Sequence, residues 1–306
     1  MTATAHMGDS PQASLDGKRA RLEELISELG SVVLGLSGGV DSSLLAKASH
    51  DVLGNRALAV IARSASLPAR ELQAALEVAE GIGISVEVVD TAEVDDPRYR
   101  SNPRNRCYFC KDELFAHLHR LAAERGFSAV AYGENADDSG DHRPGRAAAL
   151  ANDARAPLAE AGLTKQDVRG LARHLDLPVW DKPEFACLAS RFPHGHEITE
   201  ERLGQVERAE DALAGLGLRQ LRVRHHDDLA RIEVPPDELS KVVAVADEAV
   251  AALRACGFGH VTLDLAGYRR GGSDRPAGRA SHAAGEQSGH GAVIPAQAGL
   301  LPVAET

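Results

Sequence analysis

Ser31-Val32-Val33-Leu34-Gly35-Leu36-Ser37-Gly38-Gly39-Val40-Asp41-Ser42-Ser43-Leu44-Leu45 is the stretch on which the fold turns. Ser31–Leu36 is short, apolar and β-branched, as a buried strand should be. A helical pattern begins at Asp41 and runs to Leu53. Between them, Gly38 and Gly39 let the backbone turn tightly with its amides pointing inward. The helix N-terminus adds partial positive charge, and Ser37, Ser42 and Ser43 supply hydroxyl donors. Ser37, Gly38, Gly39, Val40, Asp41, Ser42 and Ser43 therefore read as an anion cradle. It is not a Walker loop, because the lysine of G-x-x-x-x-G-K-[ST] is absent. The structural alternative is a Gly-rich strand–helix turn capped by Ser and Asp.

Outward from this point, apolar runs alternate with amphipathic ones. Ala57–Ile61, Ile84–Val89 and Ser128–Tyr132 read as further buried strands, and Pro68–Gly81 and Cys110–Arg125 as helices. Pro68 suits a helix start, and Gly81 and Gly126 suit helix ends. Strand–helix–strand alternation implies an α/β fold with a parallel sheet covered by helices on both faces, whose ligands bind at the carboxyl ends of the strands. From about Glu197 the order changes to helix (Thr199–Gly215), strand (Arg219–His225), strand (Leu229–Val234), helix (Pro236–Cys256) and strand (His260–Leu265). This αββαβ order predicts a small α+β, ferredoxin-like unit. The expected organisation is a nucleotide domain over 15–193, a small domain over 194–270, and disordered ends at 1–14 and 271–306, where small polar residues cannot offset their ordering entropy.

The 306 residues are 43% hydrophobic and 26% charged, which excludes a fibrous or wholly disordered chain. No apolar stretch reaches the roughly 18 residues of a membrane span, and the N-terminus has no apolar signal region. A net charge of −11 argues against a broad grip on nucleic acid. Four cysteines are too few for a disulfide scaffold in a chain this long and read as reduced thiols or metal ligands of a cytoplasmic enzyme.

The heptapeptide Ser37–Ser43 resembles the SGGxDS motif of the PP-loop ATP pyrophosphatases. More of the chain is similar to one branch of them, the LarE family. The similarity lies in Gly133-Glu134-Asn135-Ala136-Asp137-Asp138, Asp141-His142-Arg143-Pro144-Gly145, Pro157-Leu158-Ala159-Glu160 and Lys182-Pro183. It continues in Cys187-Leu188-Ala189-Ser190-Arg191-Phe192-Pro193, Arg222-Val223-Arg224 and Leu263-Asp264-Leu265-Ala266-Gly267-Tyr268-Arg269. The resemblance implies an ATP-dependent sulfur transferase of nickel-pincer cofactor synthesis. Its substrate would be pyridinium-3,5-biscarboxylic acid mononucleotide, one carboxylate of which is adenylated and then converted to a thiocarboxylate. It further implies ATP and Mg²⁺ as cofactors, a homo-oligomer up to a hexamer, and an adenine site near Ile61–Ser64, including Arg63, with Gly133 and Asn135 at the same edge. Asp41 would be a magnesium ligand or a helix cap.

The resemblance allows two sulfur sources: a sacrificed cysteine, or a sulfide on a [4Fe–4S] cluster held by three cysteines. Cys107, Cys110 and Cys187 match the second, with Cys187 as donor in the first. Three soft thiolates with one open iron suit such a cluster better than structural zinc, which wants four ligands. A redox pair or a packing role for Cys187 remains possible on spacing alone. Cys256 reads as a small buried hydrophobe, and Trp180 as core. Arg222 and Arg224 share one strand face and form a phosphate clamp by the resemblance, or a solvated face by spacing alone. Ser190, Arg191 and Glu210 match positions tied to activity, whereas Asp137, Asp138, Asp141 and Arg143 fit a nucleotide edge or loop caps. Competing functions are a PP-loop tRNA thiolase, disfavoured by the acidic charge, an amidating synthetase, and a non-catalytic nucleotide-binding or zinc-stabilised module.

Overall fold

The computed structural model describes the backbone of residues 11–140 and 144–268, and the side chains of 15–138 and 144–268. The expected disorder of 1–10 and 271–306, and the roles weighed for Asp141, His142, Arg143 and Arg269, lie outside these residues. Residues 11–14 were expected to be loose and instead open the first helix.

The chain runs α1 (Pro11–Glu28), β1 (Val32–Gly35), α2 (Val40–Leu53), β2 (Ala57–Arg63), α3 (Ala69–Ile82), β3 (Ser85–Asp90), α4 (Pro97–Arg100), α5 (Arg106–Arg125) and β4 (Ala129–Ala131). The four strands are parallel in the order β3-β2-β1-β4. Period-two alternation divides β1 between two cores. Val32 and Leu34 pack with Ile26 of α1 and Leu44 of α2, while Val33 packs with Phe115 and Leu118 of α5. Both faces are thus helix-covered, as expected. The exception is the edge strand β3, expected to be buried, where Val86 and Val88 are 38% and 37% exposed. It has a neighbour on one side only and lies at the margin of the helical cover. Helix α3 stops at Gly83 rather than Gly81, since Gly83 adopts the left-handed φ of 81° that closes the helix.

Because β1 is central, the chain leaves it towards β2 on one side and returns to β4 on the other. The crevice at the carboxyl ends of β1 and β4 is the topological switch point, where such sheets bind ligands.

Residues 157–193, where the sequence pattern predicts no element, contain helices. After α6 (Pro144–Ala151) come α7 (Pro157–Glu160) and α8 (Lys165–His174), whose Leu158, Val168 and Leu171 join the first core. Thr164 and Asp167 form a reciprocal capping box on α8. The remaining elements are α9 (Glu200–Gly215), β5 (Arg222–His226), β6 (Leu229–Glu233), α10 (Leu239–Ala244), α11 (Ala246–Ala255) and β7 (His260–Leu263). The expected αββαβ order is present, with the second helix broken at Val245. Strand β5 is antiparallel to β6, and β6 is directly parallel to β7. A split β-α-β pattern would place another strand between β6 and β7. No helix among the described residues is long and apolar enough to cross a membrane.

Candidate active site

The loop after β1 is built for an anion. Gly38 has φ +70°, and a Cβ there would stand 3.0 Å from that of Ala75, so only glycine allows both the turn and the approach to α3. Ser42 Oγ accepts from the Ser37 amide at 3.2 Å and lies 3.1 Å from Ser37 Oγ, folding the loop back on the first turn of α2. Gly39, the N-cap residue, has no side-chain hydrogen bond to the helix, so first-turn amides remain available to a ligand. Val40 and Ser43 face inward and are buried. Gly133, after β4, closes against this turn: a Cβ there would be 2.6 Å from the Ser42 nitrogen.

Asp41 is held on both oxygens. Asn135 Nδ2 donates to Oδ1 at 3.1 Å and Lys165 Nζ to Oδ2 at 2.5 Å. Held by an amide and an ammonium, Asp41 braces the loop between Asn135 and Lys165. Asn135 is buried and serves the same brace, and Asp137 and Asp138 cap the loop around it through the Lys165 and Asn135 amides.

The cavity beside the loop is lined by Ser37 and Ser42, by the apolar Leu36, Ile61 and Phe115, and by two thiols, Cys110 and Cys187. Ile61, Ala62 and Ser64 reach its wall as expected. Arg63 does not. Its guanidinium is exposed and pairs with Asp90 at 2.5 and 2.8 Å, since the neighbouring edge strand offers a carboxylate in register. Lys111, one residue beyond Cys110, lines both this cavity and the next; among the described residues no acceptor or carboxylate engages its ammonium. Its position after C-x-x-C was the only sequence signal for it.

Cys110 lies one helical turn after Cys107 on α5, and Cys187 immediately precedes the 3-10 turn Leu188–Arg191. Cys107 is exposed and borders the adjoining cavity with Lys111 and Gly133. Burial first, then the Glu93 carboxylate, push the Cys110 thiol well above its ordinary pKa. Two thiols on this cavity and a third on the adjoining one fit an iron–sulfur cluster in donor chemistry. Among the described residues, however, no three His, Cys, Asp or Glu side chains are grouped closely enough to hold a metal ion. Cys256 is half-buried at the edge of the second core, and Trp180, expected in the core, is 36% exposed under Arg173.

Arg191 and Glu210, whose positions the resemblance ties to activity, are both fully buried and paired with each other. Arg191 Nε and Nη2 donate to the two Glu210 oxygens at 2.8 and 3.0 Å. Its Nη1 donates to the carbonyls of Ala186 and Cys187 and to Ser190 Oγ. The pair thereby ties the Cys187 loop to α9. Burial pushes the Glu210 carboxyl up, but Arg191 and the Val223 amide outweigh it and hold the group below its usual range. Ser190 is half-buried, with its carbonyl accepting from Arg224.

The expected clamp of Arg222 and Arg224 divides in two. Arg224 is buried, bonded to Glu233 at 2.8 Å and to the Ser190 carbonyl at 2.7 Å, because Glu233 sits on the adjoining strand with no other route to neutralisation than Arg224 and Arg231. Arg222 instead lines a separate cavity of 640 Å³ with Arg70, Arg219 and Lys182. Burial first, then the charge of Arg191, lower the Arg222 pKa. Among the described residues neither Arg222 nor Arg219 makes an ion pair, although Glu71, Glu184, Glu210 and Asp211 line the same cavity and the Glu210 charge reaches Arg222; both guanidinium groups keep donors for an entering anion. Arg219 opens the expected strand, though it precedes the observed one, and was missed because it falls out of the period-two register of Arg222 and Arg224.

Residues 18–112 match the NAD synthase family. The chain is 46% identical over 263 residues to an uncharacterized protein of Synechocystis sp., covering 85% of this chain and 98% of that one. It is 36% identical over 260 residues to the pyridinium-3,5-bisthiocarboxylic acid mononucleotide synthase of Lactiplantibacillus plantarum, covering 85% of this chain and 94% of that enzyme. Glutamine-hydrolyzing GMP synthases share only a short region, as in Chlamydia caviae, where 72 residues are 38% identical and span 24% of this chain and 14% of that enzyme. A near-full-length match to a known synthase, with the loop and switch-point crevice in place, is decisive: the chain belongs to the LarE family of PP-loop, ATP-using enzymes.

Proposed function

We propose that this protein adenylates a carboxylate of pyridinium-3,5-biscarboxylic acid mononucleotide with ATP and replaces AMP by sulfur, giving a thiocarboxylate. One observation carries this: the cavity that holds the phosphate loop's Ser37 and Ser42 also holds the thiols of Cys110 and Cys187. A free carboxylate is a poor acyl donor and AMP a good leaving group, so activation and sulfur delivery belong in one chamber. Ser37, Ser42 and the amides of α2 bind the phosphates where charge grows on the leaving pyrophosphate. The apolar wall at Leu36, Ile61 and Phe115 receives the adenine, Lys111 adds a cation on the thiol side, and Arg222 with Arg219 takes the substrate phosphate.

For the sulfur, Cys107, Cys110 and Cys187 are the residues that would hold a [4Fe–4S] cluster, which when bound supplies a sulfide at its open iron. Arg191 keeps the Cys187 loop in place through two of that loop's carbonyls. Substrate-dependent release of pyrophosphate, measured with a coupled phosphate assay, tests the adenylation; its absence with active-site-intact protein sinks it. Anaerobic purification followed by iron and labile-sulfide determination tests the sulfur source. Protein without iron that emerges from turnover lacking the elements of H₂S at Cys187 replaces the cluster by a sacrificed cysteine.

A further inference from the structure

We propose that Lys182 is a catalytic residue of the adenylation step, the cation that the phosphate loop itself lacks. The inference rests on the adenylation proposed above. Lys182 Nζ donates to the carbonyl of Gly38, inside the loop, at 3.1 Å and to Glu71 Oε2 of α3 at 2.8 Å. It also lines the cavity that holds Arg219 and Arg222. The ammonium therefore stands where the ATP loop and the substrate-phosphate cavity meet.

Its surroundings hold it there. Arg169 of α8 donates to the backbone carbonyls of Trp180 at 3.2 Å and Lys182 at 3.0 Å, tying the exposed stretch that carries Lys182 to the first core. An ammonium has three donors. Gly38 and Glu71 use two, which fixes the nitrogen and leaves one N–H for a ligand. The other lysines near the loop are placed for different work: Lys165 is bonded to Asp41, and Lys111 stands on the thiol wall.

In the step itself a substrate carboxylate oxygen attacks the α-phosphorus of ATP and a new O–P bond forms. The bond from the α-phosphorus to the bridging oxygen breaks, and pyrophosphate leaves with its electron pair. No proton is transferred, but negative charge gathers on the α-phosphoryl oxygens while two anions are pressed together. A preorganised N–H donor between the two binding sites lowers that barrier most where the charge is densest. Lys182 supplies it without reorganising, because Glu71 and Gly38 already hold it.

The test uses the full-length protein with ATP and pyridinium-3,5-biscarboxylic acid mononucleotide, reading pyrophosphate release, ATP binding by calorimetry and thermal stability together. Lys182→Gln is expected to lower kcat about a hundredfold, the loss typical of one transition-state donor, with KM and Kd for ATP changed less than about threefold. Lys182→Arg is expected to recover part of kcat, since a cation returns at the same place. A Gln variant that keeps kcat overturns the proposal, and so does one that loses ATP binding, which would make Lys182 a brace of the loop. Wild-type protein that releases no pyrophosphate fails the adenylation and this inference together, whereas active wild type with an equally active Gln variant fails this inference alone.

Discussion

Replacing Arg191 by Met asks what holds the Cys187 loop in place. The side chain is fully buried and makes five hydrogen bonds, two of them to the equally buried Glu210. Removing one partner of a buried ion pair costs about 3–5 kcal/mol, because the other charge stays uncompensated. Here Arg70 still reaches Glu210 at 3.2 Å and the Val223 amide at 3.0 Å, which places the expected loss near the lower end, about 3 kcal/mol. For a domain of this size that corresponds to a Tm fall of roughly 6–12 °C. The pH dependence is more diagnostic. In the wild type the depressed Glu210 pKa contributes stability above the unfolded value of about 4.3, lost as pH falls through the folded value. Without Arg191, burial dominates and raises the carboxyl pKa, so the variant loses stability as pH rises from about 4.3 through its own raised value. Urea denaturation at pH 5 and pH 8 should therefore show a gap between the proteins that is wider at pH 8. A loss under about 1 kcal/mol, or a gap that does not change with pH, refutes the reasoning, since a neutralised pair is the only source of both effects.

Gly133→Ala forces a Cβ to within 2.6 Å of the Ser42 backbone nitrogen, so calorimetry should show ATP affinity reduced at least tenfold, with a stability loss of about 1–3 kcal/mol from overpacking. Arg222→Ala should raise KM for the mononucleotide about tenfold or more while ATP binding holds, as expected for a charge-assisted phosphate contact. Arg224→Ala should act differently, lowering stability by about 1–3 kcal/mol because Glu233 keeps only Arg231. His225, pushed down to about 4 by burial and then by the Arg202 charge, stays neutral in the fold. Its contribution to stability is full above about 6.5 and declines towards pH 4, so denaturation of His225→Gln should vary less with pH across that window.

Much of the α/β half was legible because its signals are carried by neighbouring residues. The period of two in Val32–Leu34, the doubled glycine at 38 and 39, and the helix-ending Gly126 each act within a few positions of themselves. The phosphate loop belongs to this class: strand, turn and helix start are contiguous, so its chemistry can be read along the chain. Helices α7 and α8 were not legible as part of the first core, because their apolar faces are short and gain meaning only against α1 and α2.

Charge partners lie on the other side of that line. Arg191 and Glu210, Arg224 and Glu233, Arg63 and Asp90, and Lys182 with Glu71 are matched by packing, not by spacing. An arginine in a sequence is equally a clamp, a brace or a solvated surface group, and desolvation together with the nearest carboxylate decides among them. By itself the sequence determined a parallel sheet bearing a phosphate loop after its first strand, and a family to which that loop belongs. Only the tertiary structure decided which cations are locked in ion pairs and which, as at Arg219 and Arg222, make none among the described residues, because pairing energies fall off within a few ångströms and those distances exist only once the chain has folded.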